Sequence, residues 1–195
     1  MTDRLVIKEN TTREKILQTA IKVFSQKGFH ETRMEEIAQK ASVAKGTIYL
    51  YFKTKRELFS SLLSHALGLV EEAIRKGKRE GQSPLSRLEN LPGILLEVLS
   101  QRSEFFHLIF NNFLLMDPES RKVFQKWKEN MIRALSSDLE KIPQKNSQTL
   151  PIKARIIFFF LLSLFLGFLT GDLEIKEEKT MEEIKVCYRN LLGVF

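Results

Sequence analysis

"KASVAKGTIYLYFKTKRELF" (Lys40–Phe59) gathers small residues, a glycine, threonines, two tyrosines and a cluster of charges into one short span. Set on a helical wheel, Lys45 to Phe52 brings Ile48 and Phe52 together as the seam that must be buried. The opposite side carries Gly46 and Leu50, flanked by Thr47 and Tyr49, with Lys45 and Tyr51 at the boundary. A helix this short buries one side only, and a side turned to plain solvent would not normally collect a leucine, a tyrosine and a glycine. A side turned to the DNA major groove would. There a small residue permits close approach, a threonine meets a base edge, and an apolar carbon meets a thymine methyl. Lysine ammonium and tyrosine hydroxyl groups hold phosphates.

Working outward, helix starts recur. "TTRE" (Thr11–Glu14), "TRME" (Thr32–Glu35), "TKRE" (Thr54–Glu57) and "TMEE" (Thr180–Glu183) fit the capping box, in which a threonine accepts from the N3 amide and a glutamate reaches back. "SPLS" from Ser83 and "DPES" from Asp117 place proline at the first helical position. Apolar spacing predicts helices near 13–27, 33–40, 45–51, 55–77, 84–101, 104–115, 118–141, 151–171 and 181–193, with Gly28 closing the first and Pro92 bending the fifth. No segment alternates with period two for long enough to be a strand. The expected fold is all-α, about nine helices, with a helix-turn-helix formed by the second and third. Residues 1–55 are expected to form the DNA-binding domain and 56–195 a larger helical body. Thr32, at the start of the second helix, and Lys55, at the start of the fourth, would both face phosphate.

Charge agrees with a polyanion partner for the head. Residues 1–60 carry 12 Lys and Arg against 7 Asp and Glu, +5 of the chain's +7. A solvated basic surface explains the charge alone equally well. Cys187 is the single cysteine, so no intrachain disulfide or cysteine metal cluster can form, and a cytoplasmic home is expected. The start, "MTDRLVIKEN", has no apolar signal core. The longest apolar run, Ile156–Leu169, is 14 residues, short of the roughly 20 that span a bilayer, so a deeply buried helix and no membrane are expected.

"MEEIAQKASVAKGTIYLYFKTKRELF" (Met34–Phe59) resembles the N-terminal signature of the TetR family of bacterial transcriptional regulators, over roughly residues 12–60. The resemblance implies a homodimer whose two recognition helices read successive major grooves of a pseudo-palindromic operator. It implies a C-terminal domain that binds a small effector and releases DNA, with repression the usual mode. By position it implies that Lys45, Gly46, Thr47 and Tyr49 meet bases or nearby phosphates, while Thr32, Arg33, Tyr51 and Lys55 hold the backbone. The sequence departs from the family pattern twice. Ser42 stands where glycine is usual, at a turn where a serine either takes an unfavourable positive φ or alters the turn slightly. Ala44 stands where serine or threonine caps the recognition helix, and alanine cannot cap.

In the body, "RIIFFFLLSLFLGFLTGD" (Arg155–Asp172) is apolar on nearly all sides, and the surplus face is expected to meet a second subunit. Phe158, Phe165, Gly167, Leu169, Gly171 and, from the last helix, Tyr188 are the candidate dimer residues. Gly167 and Gly171 are the small pair that would let a backbone approach. Phe106, Phe110, Phe113, Trp127, Met131, Phe159 and Leu162 are candidate linings for a small, mostly apolar effector such as an acyl chain or aromatic compound, and equally fit an ordinary core. His30, His65 and His107 lie far apart with no metal-spaced partners, and no phosphate-cradling glycine loop occurs, so neither metal, cofactor nor enzyme chemistry is expected. A non-specific architectural DNA binder and a protein-docking module remain as other readings of the basic head.

Overall fold

The computed structural model describes residues 12–79, 81–112, 118–143, 149–173 and 178–192. Among them the order is α1 (Thr12–Glu31), α2 (Met34–Lys40), α3 (Lys45–Tyr51), α4 (Lys55–Arg79), α5 (Pro84–Gln101), α6 (Ser103–Asn111), α7 (Pro118–Leu139), α8 (Leu150–Thr170) and α9 (Glu178–Leu192), with no strand. The all-α reading holds, and α3 and α5 begin and end where the sequence puts them. The Thr11 and Asp117 caps, and Phe113 among the candidate linings, lie outside the described residues.

The remaining start signals divide. The Thr54 hydroxyl accepts from the Glu57 N–H (3.0 Å), and the Glu57 carboxylate reaches one residue past the cap to accept from the Lys53 N–H (2.7 Å), so the start of α4 is capped by a variant of the expected box. The Ser83 hydroxyl accepts from the Ser86 N–H (3.1 Å) ahead of Pro84. "TRME" is not a box: the N-cap of α2 is Arg33, with no side-chain cap bond. "TMEE" starts nothing, because α9 already begins at Glu178.

By their contacts, residues 1–67 with 102–124 form one compact unit, and residues 68–101 with 125–195 the other. In the first, α1 buries Ile16, Leu17, Ala20, Ile21, Val23 and Phe24 and packs on α2 and α6. The helix is interrupted at Gly28 (φ 82°, ψ 162°), a conformation only glycine adopts without strain. α2 and α3 pack together. α3 has seven residues, far below the length at which a helix persists alone in water. Burial of Ile48 and Phe52, about 2–3 kcal/mol each, is what holds it in place.

Of the two outcomes open to a serine in the turn between them, the structure takes the strained one. Ser42 has φ 53°, the left-handed region, while the Val43 N–H returns to Ala38 O (3.0 Å). An L-residue there costs about 1 kcal/mol relative to glycine. Ser42→Gly is therefore expected to raise Tm by roughly 2–4 °C in calorimetry. An unchanged Tm would show that the serine carries no strain.

In the second unit, α5 packs on α8 and α9, and α8 on α9. Arg87 and Asp138, both largely buried, tie α5 to α7. Nη2 donates to Oδ1 (2.6 Å) and Nε to Oδ2 (3.3 Å), while Nη1 caps Gln82 O (2.5 Å). α8 buries Ala154, Ile157, Phe158, Leu161, Leu164 and Leu169. It is long and apolar enough to cross a membrane, with a mean hydropathy of 2.1 over its most apolar stretch, yet only 28% of that stretch is buried in the protomer. The expectation of a deeply buried helix is thus corrected. α5 and α9 cover one side, and Ile152, Ile156, Phe159 and Leu166 form an apolar stripe on the other, 39–62% exposed.

The two glycines of α8 serve its end. Gly171 takes the left-handed C-cap conformation (φ 80°), and the Leu173 N–H returns to Gly167 O (2.9 Å). A Cβ on Gly167 would lie 3.2 Å from the Leu173 Cβ, so Gly167 is small to admit the returning chain.

Candidate nucleic-acid interface

The helix-turn-helix presents the side that the wheel predicts. Ile48 and Phe52 are 0% and 1% exposed, whereas Leu50 is 76% exposed. Lys45 and Gly46 are exposed, Thr47 and Tyr49 are half-buried, and Tyr51 and Arg33 are exposed. Ala44 is the N-cap of α3 and offers no side-chain bond. Lys45 and Tyr49, one helical turn apart, converge on a single atom of α2. Glu35 Oε1 lies 2.9 Å from Lys45 Nζ and accepts the Tyr49 hydroxyl at 3.2 Å. The Lys45 ammonium holds the Glu35 carboxyl below the usual carboxylate range, and Glu35 in turn raises the lysine. Partial desolvation, then the bond to Glu35, raise the Tyr49 phenol. The adjacent Glu36 turns the other way, to Lys27 (2.7 Å) and Lys40 (3.3 Å), tying α2 to α1.

Two of the expected phosphate contacts face inward. Thr32 is buried, and its hydroxyl donates to Gly28 O (2.7 Å), bracing the break after α1. Lys55 Nζ donates to Phe29 O (2.6 Å), Thr32 O (2.7 Å) and His30 O (2.9 Å), and lies 4.7 Å from the Phe29 ring centroid. An ammonium has three protons and all three are used. Burial pulls its pKa down. Lys55 is an internal clamp that receives the carbonyls at the end of α1 and fixes the entry into α2. Arg13 plays a similar part, its guanidinium 5.2 Å from the Phe52 ring centroid and its Nη2 donating to Ser61 Oγ (3.2 Å).

Residues 16–62, the segment that builds this arrangement, match the profile of the bacterial regulatory proteins of the tetR family. The repressor NicS of Pseudomonas putida is 31% identical over 127 residues, 65% of this chain and 57% of NicS. A fatty acid metabolism regulator protein of Bacillus subtilis is 34% identical over 73 residues, 37% of this chain and 38% of that one. The fold matches the fatty acid degradation regulator FadR of Bacillus halodurans with a TM-score of 0.72, at 23% identity, over 96% of this chain and 98% of the other.

The chain belongs to the TetR family.

The chain spans 32%, 40% and 57% of the length of three of the curated relatives it matches. Members of the TetR family are helix-turn-helix regulators of transcription, and the α2–α3 geometry above is the part of this chain that the profile covers.

The remaining candidate residues are scattered differently from their sequence assignment. Of the linings, Phe106 is buried and Phe110 half-buried in the first unit. Met131 is buried and Trp127 and Leu162 half-buried in the second. Phe159 lies on the exposed stripe of α8. It also borders a groove of about 530 Å³ with Lys128, Glu129, Ile132, Arg133 and Arg155. Of the dimer candidates, Phe158 is buried against Trp127 (ring centroids 5.7 Å apart), and Tyr188 against Phe160 (5.5 Å). Leu169 is also buried, Phe165 is half-buried, and Gly167 and Gly171 shape the helix end. The unassigned residues Ile152, Ile156 and Leu166, with Val186 of α9, are the exposed apolar ones. With Phe159, the recurrence of apolar residues at 152, 156, 159 and 166 is a signal the sequence does contain, but on a helix apolar all round it competes with every other stripe.

Proposed function

We propose that this TetR-family chain is a repressor that binds a pseudo-palindromic operator as a homodimer and releases it when a small, mostly apolar ligand enters the C-terminal body. The observation that carries the reading is the two-sidedness of α3. Ile48 and Phe52 are sunk, while Leu50 stands 76% exposed beside Lys45, Gly46, Thr47 and Tyr49. An apolar residue that open, on a helix of major-groove dimensions, is matched by thymine methyls and base edges rather than by water. Repression is supported by the resemblance to NicS, and an acyl or similar ligand by the fatty acid regulator of Bacillus subtilis. The homodimer is supported by the uncovered stripe of Ile152, Ile156, Phe159 and Leu166, with Val186. The site of action is the cytoplasm.

The reading is tested by selecting bound duplexes from a random pool. A two-fold symmetric motif with half-sites a whole number of DNA turns apart is expected. No enriched motif, with binding to any duplex, would instead favour an architectural role. On the selected duplex, Tyr49→Ala and Lys45→Ala are each expected to weaken binding by about 1–3 kcal/mol, roughly 5- to 150-fold, with helicity unchanged. Wild-type affinity in both would remove α3 from the groove.

A further inference from the structure

Among the described residues, Glu35 is the one acidic side chain bonded to the outward face of α3. Lys45 and Tyr49 both meet the same oxygen, Oε1, at 2.9 and 3.2 Å, although they come from a different helix. This carboxylate is 46% exposed, so it stands where an approaching duplex would meet it. A free lysine on a recognition helix would find phosphate on any duplex. Here its ammonium is already engaged, and a carboxylate beside the path of the phosphates repels the backbone. Exposed ion pairs are worth only about 0–1 kcal/mol, so the pair can open, but only where a duplex offers something in return.

Resting on the operator-binding reading above, we propose that Glu35 sets sequence discrimination. It holds the Lys45 ammonium and the Tyr49 hydroxyl in one arrangement, and it opposes binding to any duplex that does not offer both of them a partner. Glu35 is then a specificity-determining position that works by weakening the wrong complexes more than the right one. Glu35→Gln keeps the shape and removes the charge, freeing Lys45 for any phosphate.

The test uses the full chain, the selected duplex and a scrambled duplex of the same composition, at several salt concentrations. Glu35→Gln is expected to bind the scrambled duplex about three- to fivefold more tightly than wild type, a gain on the scale of one exposed ion pair. The selected-to-scrambled ratio should fall by a similar factor. The scrambled-duplex salt slope should steepen by about one, the signature of an added phosphate contact. In a Lys45→Met background the same change should produce no such steepening, which a merely structural role for Glu35 would not predict. A ratio and slope equal to wild type would overturn the proposal. So would a loss of affinity by the same factor on both duplexes. If wild type itself binds both duplexes alike, the operator-binding reading fails instead, so the two failures are distinct. Circular dichroism checks the fold of each variant, and Glu35→Asp provides a second probe. It keeps the charge but shortens the reach, so it should keep weak scrambled-duplex binding while losing part of the preference for the selected one. Tighter binding of the scrambled duplex by Glu35→Asp would overturn the repulsive role.

Discussion

On the proposed homodimer, Ile156→Asp is expected to yield folded monomers that no longer bind the operator tightly. Ile156 is 49% exposed on α8, in line with Ile152, Phe159 and Leu166. Within one protomer an aspartate there reaches water, so helicity changes little, and a fall in Tm would reflect only the lost association. In a two-fold interface the same substitution appears twice, and each carboxylate must be stripped of water against an apolar surface. Burying an unpaired charge is strongly unfavourable, and even about 3 kcal/mol per interface weakens self-association more than 100-fold. Sedimentation velocity at several concentrations reads that loss directly. Operator affinity is expected to fall with it, because a monomer would engage one half-site and forfeit the effective concentration that links two, a factor of roughly 10²–10⁴. Phe158→Asp is the contrasting variant: Phe158 is 3% exposed, so that change unfolds the protomer rather than separating two. An Ile156→Asp protein that sediments as a dimer would place the seam elsewhere.

Lys55→Met is expected to lower stability by about 3 kcal/mol and to leave the salt dependence of DNA binding unchanged. The ammonium supplies all three of its donors to the carbonyls of Phe29, His30 and Thr32. Hydrogen bonds to charged groups are worth about 1.5–3 kcal/mol each, and three sharing one donor are not additive. Methionine keeps most of the apolar stem and leaves those carbonyls to water or to nothing. A fall in Tm of roughly 6–12 °C is expected for a chain of this size. The salt slope separates the two readings of this residue. A phosphate contact would lower the slope by about one when removed, and an internal clamp would not. A reduced slope with unchanged Tm would restore Lys55 to the DNA surface.

These two residues show where sequence reading stops. The face of α3 was legible because Ile48 and Phe52 are the only strongly apolar pair that a helix of that length can bury together, and the rest of the wheel follows. Ser42 was legible for a similar local reason. A four-residue connection between helices that close has few backbone solutions, and the positive φ at 42 is one of them. Lys55 and Glu35 were not. Lys55 meets carbonyls 23 to 26 residues earlier in the chain, and nothing in "TKRE" says that the end of α1 arrives beside it. Glu35 was read as half of a capping box, and its actual partners lie on the next helix. Local patterns name the residues that can bond, and only the approach of a second element chooses the bond.

α8 marks the same boundary on a larger scale. By itself, the sequence determined that residues near 151–171 form a helix and that no polar face directs it, because apolar residues occupy almost every position around it. A wheel cannot rank equal sides. The tertiary structure chose: with α5 and α9 packed on the helix, and Trp127 of α7 against Phe158, the residues Ala154, Ile157, Phe158, Leu161 and Leu164 are buried, and Ile152, Ile156, Phe159 and Leu166 are left outward. The hydrophobic effect is non-directional, so it fixes how much of such a helix is buried, while the shape and position of its neighbours fix which side.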